Sequence, residues 1–120
     1  MLDKPTSLVV ADNIHLLVGI LKEQFKVKAA TSGEKALKIC DALTKPDLIL
    51  LDIIMPDMDG FEVCQTLKAD EDTSEIPIVF LSAKNDLKDQ EYGRALGAVG
   101  FLNKPVNPTL LMECIQRHLP

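Results

Sequence analysis

Short branched-aliphatic runs that alternate with stretches of helical periodicity predict an α/β protein. Its expected architecture has three layers, a doubly wound, five-stranded parallel sheet flanked by five helices. Five such runs recur: SLVVA at 7–11, KVKAA at 26–30, DLILLD at 47–52, IPIVFLS at 76–82 and VGFLN at 99–103. The third and fourth are apolar almost throughout, as strands covered on both faces must be, whereas KVKAA alternates like an edge strand.

After the first run, Ile14, Leu17, Val18, Leu21 and Phe25 follow i, i+3, i+4, i+7 spacing and predict an amphipathic helix over 14–25. Beyond the second run, TSGEKALKICDAL offers Thr31 or Ser32 as N-cap, with Thr31 and Glu34 in capping-box spacing and Ala36, Leu37, Cys40 and Leu43 on one face. Phe61, Cys64 and Leu67 outline a third helix. Periodicity is weakest over 86–96, DLKDQEYGRAL, where only Leu87, Ala95 and Leu96 are clearly apolar and Gly93 interrupts the expected fourth helix. Gly97 and Gly100 bracket the entry to the fifth strand and suit tight turns. Asn107 then caps a fifth helix with Pro108 at its first position, followed by Leu111, Cys114, Ile115 and Leu119.

A chain of 120 residues, 47% of them hydrophobic, buries one ordinary core, so a single domain over 1–120 is expected. Its 13 Lys and Arg against 18 Asp and Glu give a net charge of -5, which disfavours nucleic acid phosphates and anionic membranes as partners. No apolar run has the length of a membrane span, and MLDKPTSLVV lacks the basic start and long apolar stretch of a secretory signal. A cytoplasmic location is therefore expected. Cys40, Cys64 and Cys114 are scattered and never in CxxC spacing, so they read as small buried hydrophobes rather than a disulfide framework or a zinc site. His15 and His118 are isolated and expected near helix surfaces.

Strands alternating with helices run parallel through right-handed crossovers, which gathers every strand-to-helix loop at one edge of the sheet. Ligands bind at that carboxyl edge. The strand ends place Asp12, Asp52, Ser82 and Lys104 there. Taken singly, Asp12 reads as a helix cap, Ser82 as a turn residue and Lys104 as a solvated charge. Asp52 does not reduce so easily, because DLILLD drives a carboxylate to the tip of an otherwise buried strand. Two acids beside an amine suit Mg2+, which takes one or two carboxylates, keeps several waters and bridges to phosphate oxygens. Without nearby His or Cys, zinc is disfavoured.

The stretch LILLDIIMPDMDGFEVC, with VVADN, FLSAK and FLNKP in suitable order, resembles the response-regulator receiver domains of two-component signalling, and the resemblance covers nearly the whole chain. It implies strand order 2-1-3-4-5 and an Asp52 that accepts phosphate from a phosphohistidine as an acyl phosphate. It also implies that Asp12, Asp52 and the backbone carbonyl of Ile54 hold Mg2+, that Lys104 pairs with the phosphoryl oxygens and that Ser82 hydrogen-bonds one of them. Phe101 matches the aromatic switch position. Pro56 and Gly60 belong to the turn leading into the third helix, and the Lys104-Pro105 bond is expected to be cis. The sequence departs from the family at Ala11, where a second acid usually helps hold magnesium through water, so weakened rather than abolished binding is expected. Asn13 offers a neutral oxygen nearby.

On the same resemblance, phosphorylation draws Ser82 inward and lets Phe101 rotate, altering the face made by the fourth helix, fifth strand and fifth helix. The implied partners are a sensor histidine kinase or phosphotransfer protein on the input side. On the output side they are an output domain or a homodimer through that face. Three alternatives differ in class. A degenerate receiver would bind partners without phosphorylation. An aspartyl-phosphate phosphatase or phosphotransferase would want a second acid where Ile54 stands. A flavin-binding domain would want a Ser-, Thr- and Gly-rich phosphate loop. Activity as an enzyme on a free metabolite is not expected.

Overall fold

A computed structural model describes residues 4–11, 15–42, 45–55, 57–82 and 87–119. Along the chain run β1 (Thr6–Val10), α1 (His15–Leu21), β2 (Lys26–Ala30), α2 (Gly33–Cys40) and β3 (Leu48–Asp52). They are followed by α3 (Gly60–Ala69), β4 (Ile78–Ser82), α4 (Leu87–Ala95), β5 (Gly100–Asn103) and α5 (Pro108–His118). All strand pairs are parallel, in the order β2-β1-β3-β4-β5 expected from the resemblance.

Successive strand residues point to opposite faces, and this divides the core in two. On β3, Ile49 and Leu51 join Leu8, Val10 and Phe80 beneath α2 and α3, with Ala36, Cys40, Val63, Cys64 and Leu67 facing them. Leu48 and Leu50 join Val9, Val79 and Leu81 on the other face, against Leu17 and Leu21 of α1 and Leu111 and Ile115 of α5. β1, β3 and β4 are buried along their whole length, while β2 is half-exposed, as its alternation predicts.

Several boundaries differ from the expected ones for local reasons. The first helix stops at Leu21 rather than 25, because the amides of Gln24 and Phe25 both donate to the Leu21 carbonyl at 3.1 and 3.0 Å. That turn still delivers Phe25 to the core. The fourth run loses two residues, since Pro77 has no amide to offer a ladder, although its carbonyl accepts from Ile49 at 3.0 Å. Ser32, not Thr31, caps α2, its hydroxyl accepting from the Lys35 amide at 3.3 Å, so no Thr31–Glu34 box forms. Ile14, Leu43 and Asp86 lie outside the described residues.

The weakly patterned fourth helix forms, and Gly93 is its one buried residue. Aromatic contacts hold it: Tyr92 meets Phe61 edge-on at 4.8 Å, Phe61 meets Phe80 at 5.2 Å, and Phe80 meets Phe101 at 5.4 Å. A Cβ on Gly93 would overlap the Phe101 ring and approach Phe80 at 3.1 Å, so the interruption seen in the sequence is a seat for two rings. At the helix end Gly97 takes φ +111, and the Ala98 amide returns to the Gly93 carbonyl at 3.0 Å, closing the turn into β5. Phe80, fully buried, lies at the middle of this ring chain. Phe80→Ala is expected to cost about 3–5 kcal/mol, read as a lower urea midpoint with an unchanged slope.

Candidate functional site

The carboxyl edge is built by register. Asp52 ends β3 opposite Leu81, and the next amide, that of Ile53, donates to the Leu81 carbonyl at 3.3 Å. Ser82 ends β4 opposite Asn103, and the Lys104 amide donates to the Ser82 carbonyl at 2.7 Å. Three consecutive strands thus deliver an acid, a hydroxyl and an amine to one rim. Asp52 is 4% exposed. Its Oδ2 lies 2.5 Å from the Lys104 Nζ, a charge-assisted hydrogen bond that compensates a carboxylate withdrawn from water. The Lys104-Pro105 bond is cis, as expected.

The surroundings hold this pair from both sides. Ala11 is buried, its amide bonded to the Ala30 carbonyl at 3.2 Å, and with Leu16, Leu17, Leu81, Pro105 and Val106 it lines a pocket of about 230 Å3 that opens beside Lys104. On the other side the loop after β3 buries Ile53 and Met55 while the side chain between them, Ile54, is 74% exposed. The Gly60 amide donates to the Ile53 carbonyl at 2.7 Å, and a Cβ on Gly60 would overlap the Asp52 carbonyl, so only glycine lets α3 start this close to the strand tip.

Of the residues singled out in the sequence, Asp52, Ser82, Lys104, Ala11 and Ile54 gather at this rim. Asp12, Asn13 and Pro56 lie outside the described residues. Phe101 stands apart from the ion pair, half-buried against Phe80 and Gly93 beneath α4. Among the described residues no three His, Cys, Asp or Glu side chains form a cage for an ion. The donors at the rim, a carboxylate and loop carbonyls, are hard oxygens that fit Mg2+ with retained water better than zinc or a closed calcium site.

One residue beside the site carried no signal in the sequence. Asp57 takes the Gly33 amide on Oδ1 and the Glu34 amide on Oδ2, both at 3.0 Å. These bonds, that to Glu34 foremost, hold its carboxyl below the ordinary carboxylate range. Asp57 had no local signal because its partners lie on another element, whereas Gly93 was legible as an interruption and only its role as a seat for two rings needed the structure. The cysteines behave as expected: Cys40 and Cys64 are buried and Cys114 is partly so, and none is disulfide-bonded. Burial pushes the Cys40 thiol up to about 11 against the pull of Lys45 and Lys28, and raises Cys64 and Cys114 as well.

Comparison with known proteins is consistent with this geometry. The family model for the response regulator receiver domain matches residues 8–116. A Vibrio cholerae serotype O1 protein named "Probable cyclic di-GMP phosphodiesterase" is 42% identical over 108 residues, covering 90% of this chain and 24% of that protein. The chain spans about a quarter of the length of such curated relatives. Among solved structures, the chemotaxis response regulator CheY4 of Vibrio cholerae superposes with a TM-score of 0.88 at 30% identity, covering 97% of this chain and 99% of that one. The receiver domain of the sensor histidine kinase PA1611 from Pseudomonas aeruginosa PAO1, with a magnesium ion coordinated in its active site cleft, gives 0.87 at 25% identity, covering 96% and 97%.

Thiol reactivity offers a check on the packing. Because a raised thiol pKa keeps sulfur protonated, native labelling at mildly alkaline pH is expected to reach Cys114 first and to spare Cys40 and Cys64 until denaturant is added. A folded thiol titrating near 11, against an ordinary 9.0, also loses its stabilising contribution as pH rises through that interval, since the unfolded chain then binds fewer protons.

Proposed function

Since the chain belongs to the response regulator receiver domain family of two-component systems, we propose that it accepts a phosphoryl group on Asp52 from a phosphohistidine of a sensor histidine kinase or phosphotransfer protein, with Mg2+ as cofactor. The observation that carries this reading is the Lys104 ammonium held on a buried strand-tip carboxylate. A carboxylate oxygen of Asp52 attacks phosphorus, the phosphorus–nitrogen bond of the donor breaks, and the electron pair stays on the imidazole. Lys104 follows the charge to the phosphoryl oxygens and Ser82 donates a hydrogen bond to one of them. Asp12, Asp52 and the Ile54 carbonyl would hold the magnesium ion, which when bound neutralises the transferring group. Charge neutralisation and positioning are most of what phosphoryl transfer asks of a protein.

Output follows from the same geometry. Inward movement of Ser82 makes room for the Phe101 ring, which carries part of the packing of α4. On α4 and α5, Leu87, Tyr92 and Leu110 are exposed, apolar groups suited to an output domain or a second copy of the chain. In this role the chain is a switch and not an enzyme acting on a free metabolite. It would act in the cytoplasm, where kinases present phosphohistidine, and no described helix is long and apolar enough to cross a membrane. Ala11 favours one second reading, a receiver that binds partners without being phosphorylated, because the carboxylate missing there weakens the metal site.

Incubation with acetyl phosphate and Mg2+ is expected to add one phosphoryl mass to the wild type and none to Asp52→Asn. An unmodified wild type would support the second reading, and an equally modified mutant would remove Asp52 as acceptor. Restoring the acid with Ala11→Asp is expected to tighten magnesium binding by about tenfold in a calorimetric titration.

A further inference from the structure

We propose that Asp57 is a positioning residue for the metal site: by tying the loop after β3 to the first turn of α2, it holds the Ile54 backbone where a magnesium ion would take it. This rests on the reading of the site given above. The tie is bidentate, Oδ1 to the Gly33 amide and Oδ2 to the Glu34 amide, each at 3.0 Å. These are amides that a helix leaves unsatisfied at its start. Ser32 already caps α2 through the Lys35 amide, so the helix is not short of a cap without Asp57.

Among the described residues the loop it anchors is held at two places, the first beside the strand tip. There the Ile53 amide and carbonyl are bonded to Leu81 and Gly60, and Ile53 and Met55 are buried. Further along, Asp57 reaches across to α2, and Met58 packs where Gly33 lacks a side chain; a Cβ at Gly33 would overlap Met58 and come within 2.9 Å of the Val63 Cγ2. Ile54 lies between the bonded Ile53 and the Asp57 tie, with its side chain in solvent. Release of the Asp57 tie leaves only the side-chain packing of Met55 and Met58, among the described residues, to hold the stretch beyond Ile54, and the Ile54 carbonyl, having no side-chain packing of its own, shifts with that stretch. The fixed separation between α2 and α3 therefore becomes part of the metal site's geometry.

Magnesium affinity of the wild type, Asp57→Asn and Asp57→Ala is measured by titration calorimetry. Urea unfolding and amide exchange at Gly33 and Glu34 are followed with and without magnesium. Asp57→Ala is expected to bind about tenfold more weakly, the usual size of a loss when a supporting group behind a metal ligand is removed. Asp57→Asn keeps one acceptor oxygen and should fall between. Because coupling is reciprocal, magnesium should slow exchange at Gly33 and Glu34 in the wild type and not in Asp57→Ala. Wild-type affinity in Asp57→Ala, or exchange at the two amides indifferent to magnesium, overturns the proposal and leaves the reading of the site intact. Should Asp57→Ala fail to fold, the isosteric Asp57→Asn decides by the same measures. Absence of magnesium binding in the wild type overturns both.

Discussion

A carboxylate at the tip of a buried strand is unfavourable unless something replaces the water it has lost, and the Lys104 ammonium does so for Asp52. The pairing depends on the strand arrangement. β3, β4 and β5 are adjacent and parallel, so residues that end or follow them share one rim whatever their distance in sequence. A lysine two strands away reaches the acid because the Lys104 backbone is itself fixed to the Ser82 carbonyl. The attraction is directional and partly shielded from solvent, since the acid is buried and the amine only partly so.

Close packing around that rim falls to residues with little or no side chain. Gly60 lets α3 begin against the β3 tip, Gly33 admits Met58 between α2 and the loop, and Gly93 seats the Phe80 and Phe101 rings. At each of these positions a methyl group would meet a neighbour closer than packed atoms tolerate. The rim is consequently rigid on the α2–α3 side, where backbone amides and buried aliphatics converge. On the α4 side a short chain of rings packs against the helix, and the apolar groups around it stand half in water. Elements with few buried contacts are the ones that open at low cost, so the asymmetry places the lower local stability on the α4 side rather than at Asp52.

Legible in the order of residues were the alternation of strands and helices, the burial of most of DLILLD and IPIVFLS, the Asn107-Pro108 start of α5 and the candidate rim residues. Each of these is written in a local period or a terminal signal that one segment carries alone. It took the folded chain to show that Lys104 touches Asp52, that Ser32 rather than Thr31 caps α2, that Asp57 joins its loop to α2 and that Gly93 is a seat rather than a flaw. Those facts depend on partners drawn from distant segments or on the competition between neighbouring groups for one amide. Hydrophobic periodicity records which face of a segment leaves water, and it carries no information about which atom of another segment waits there.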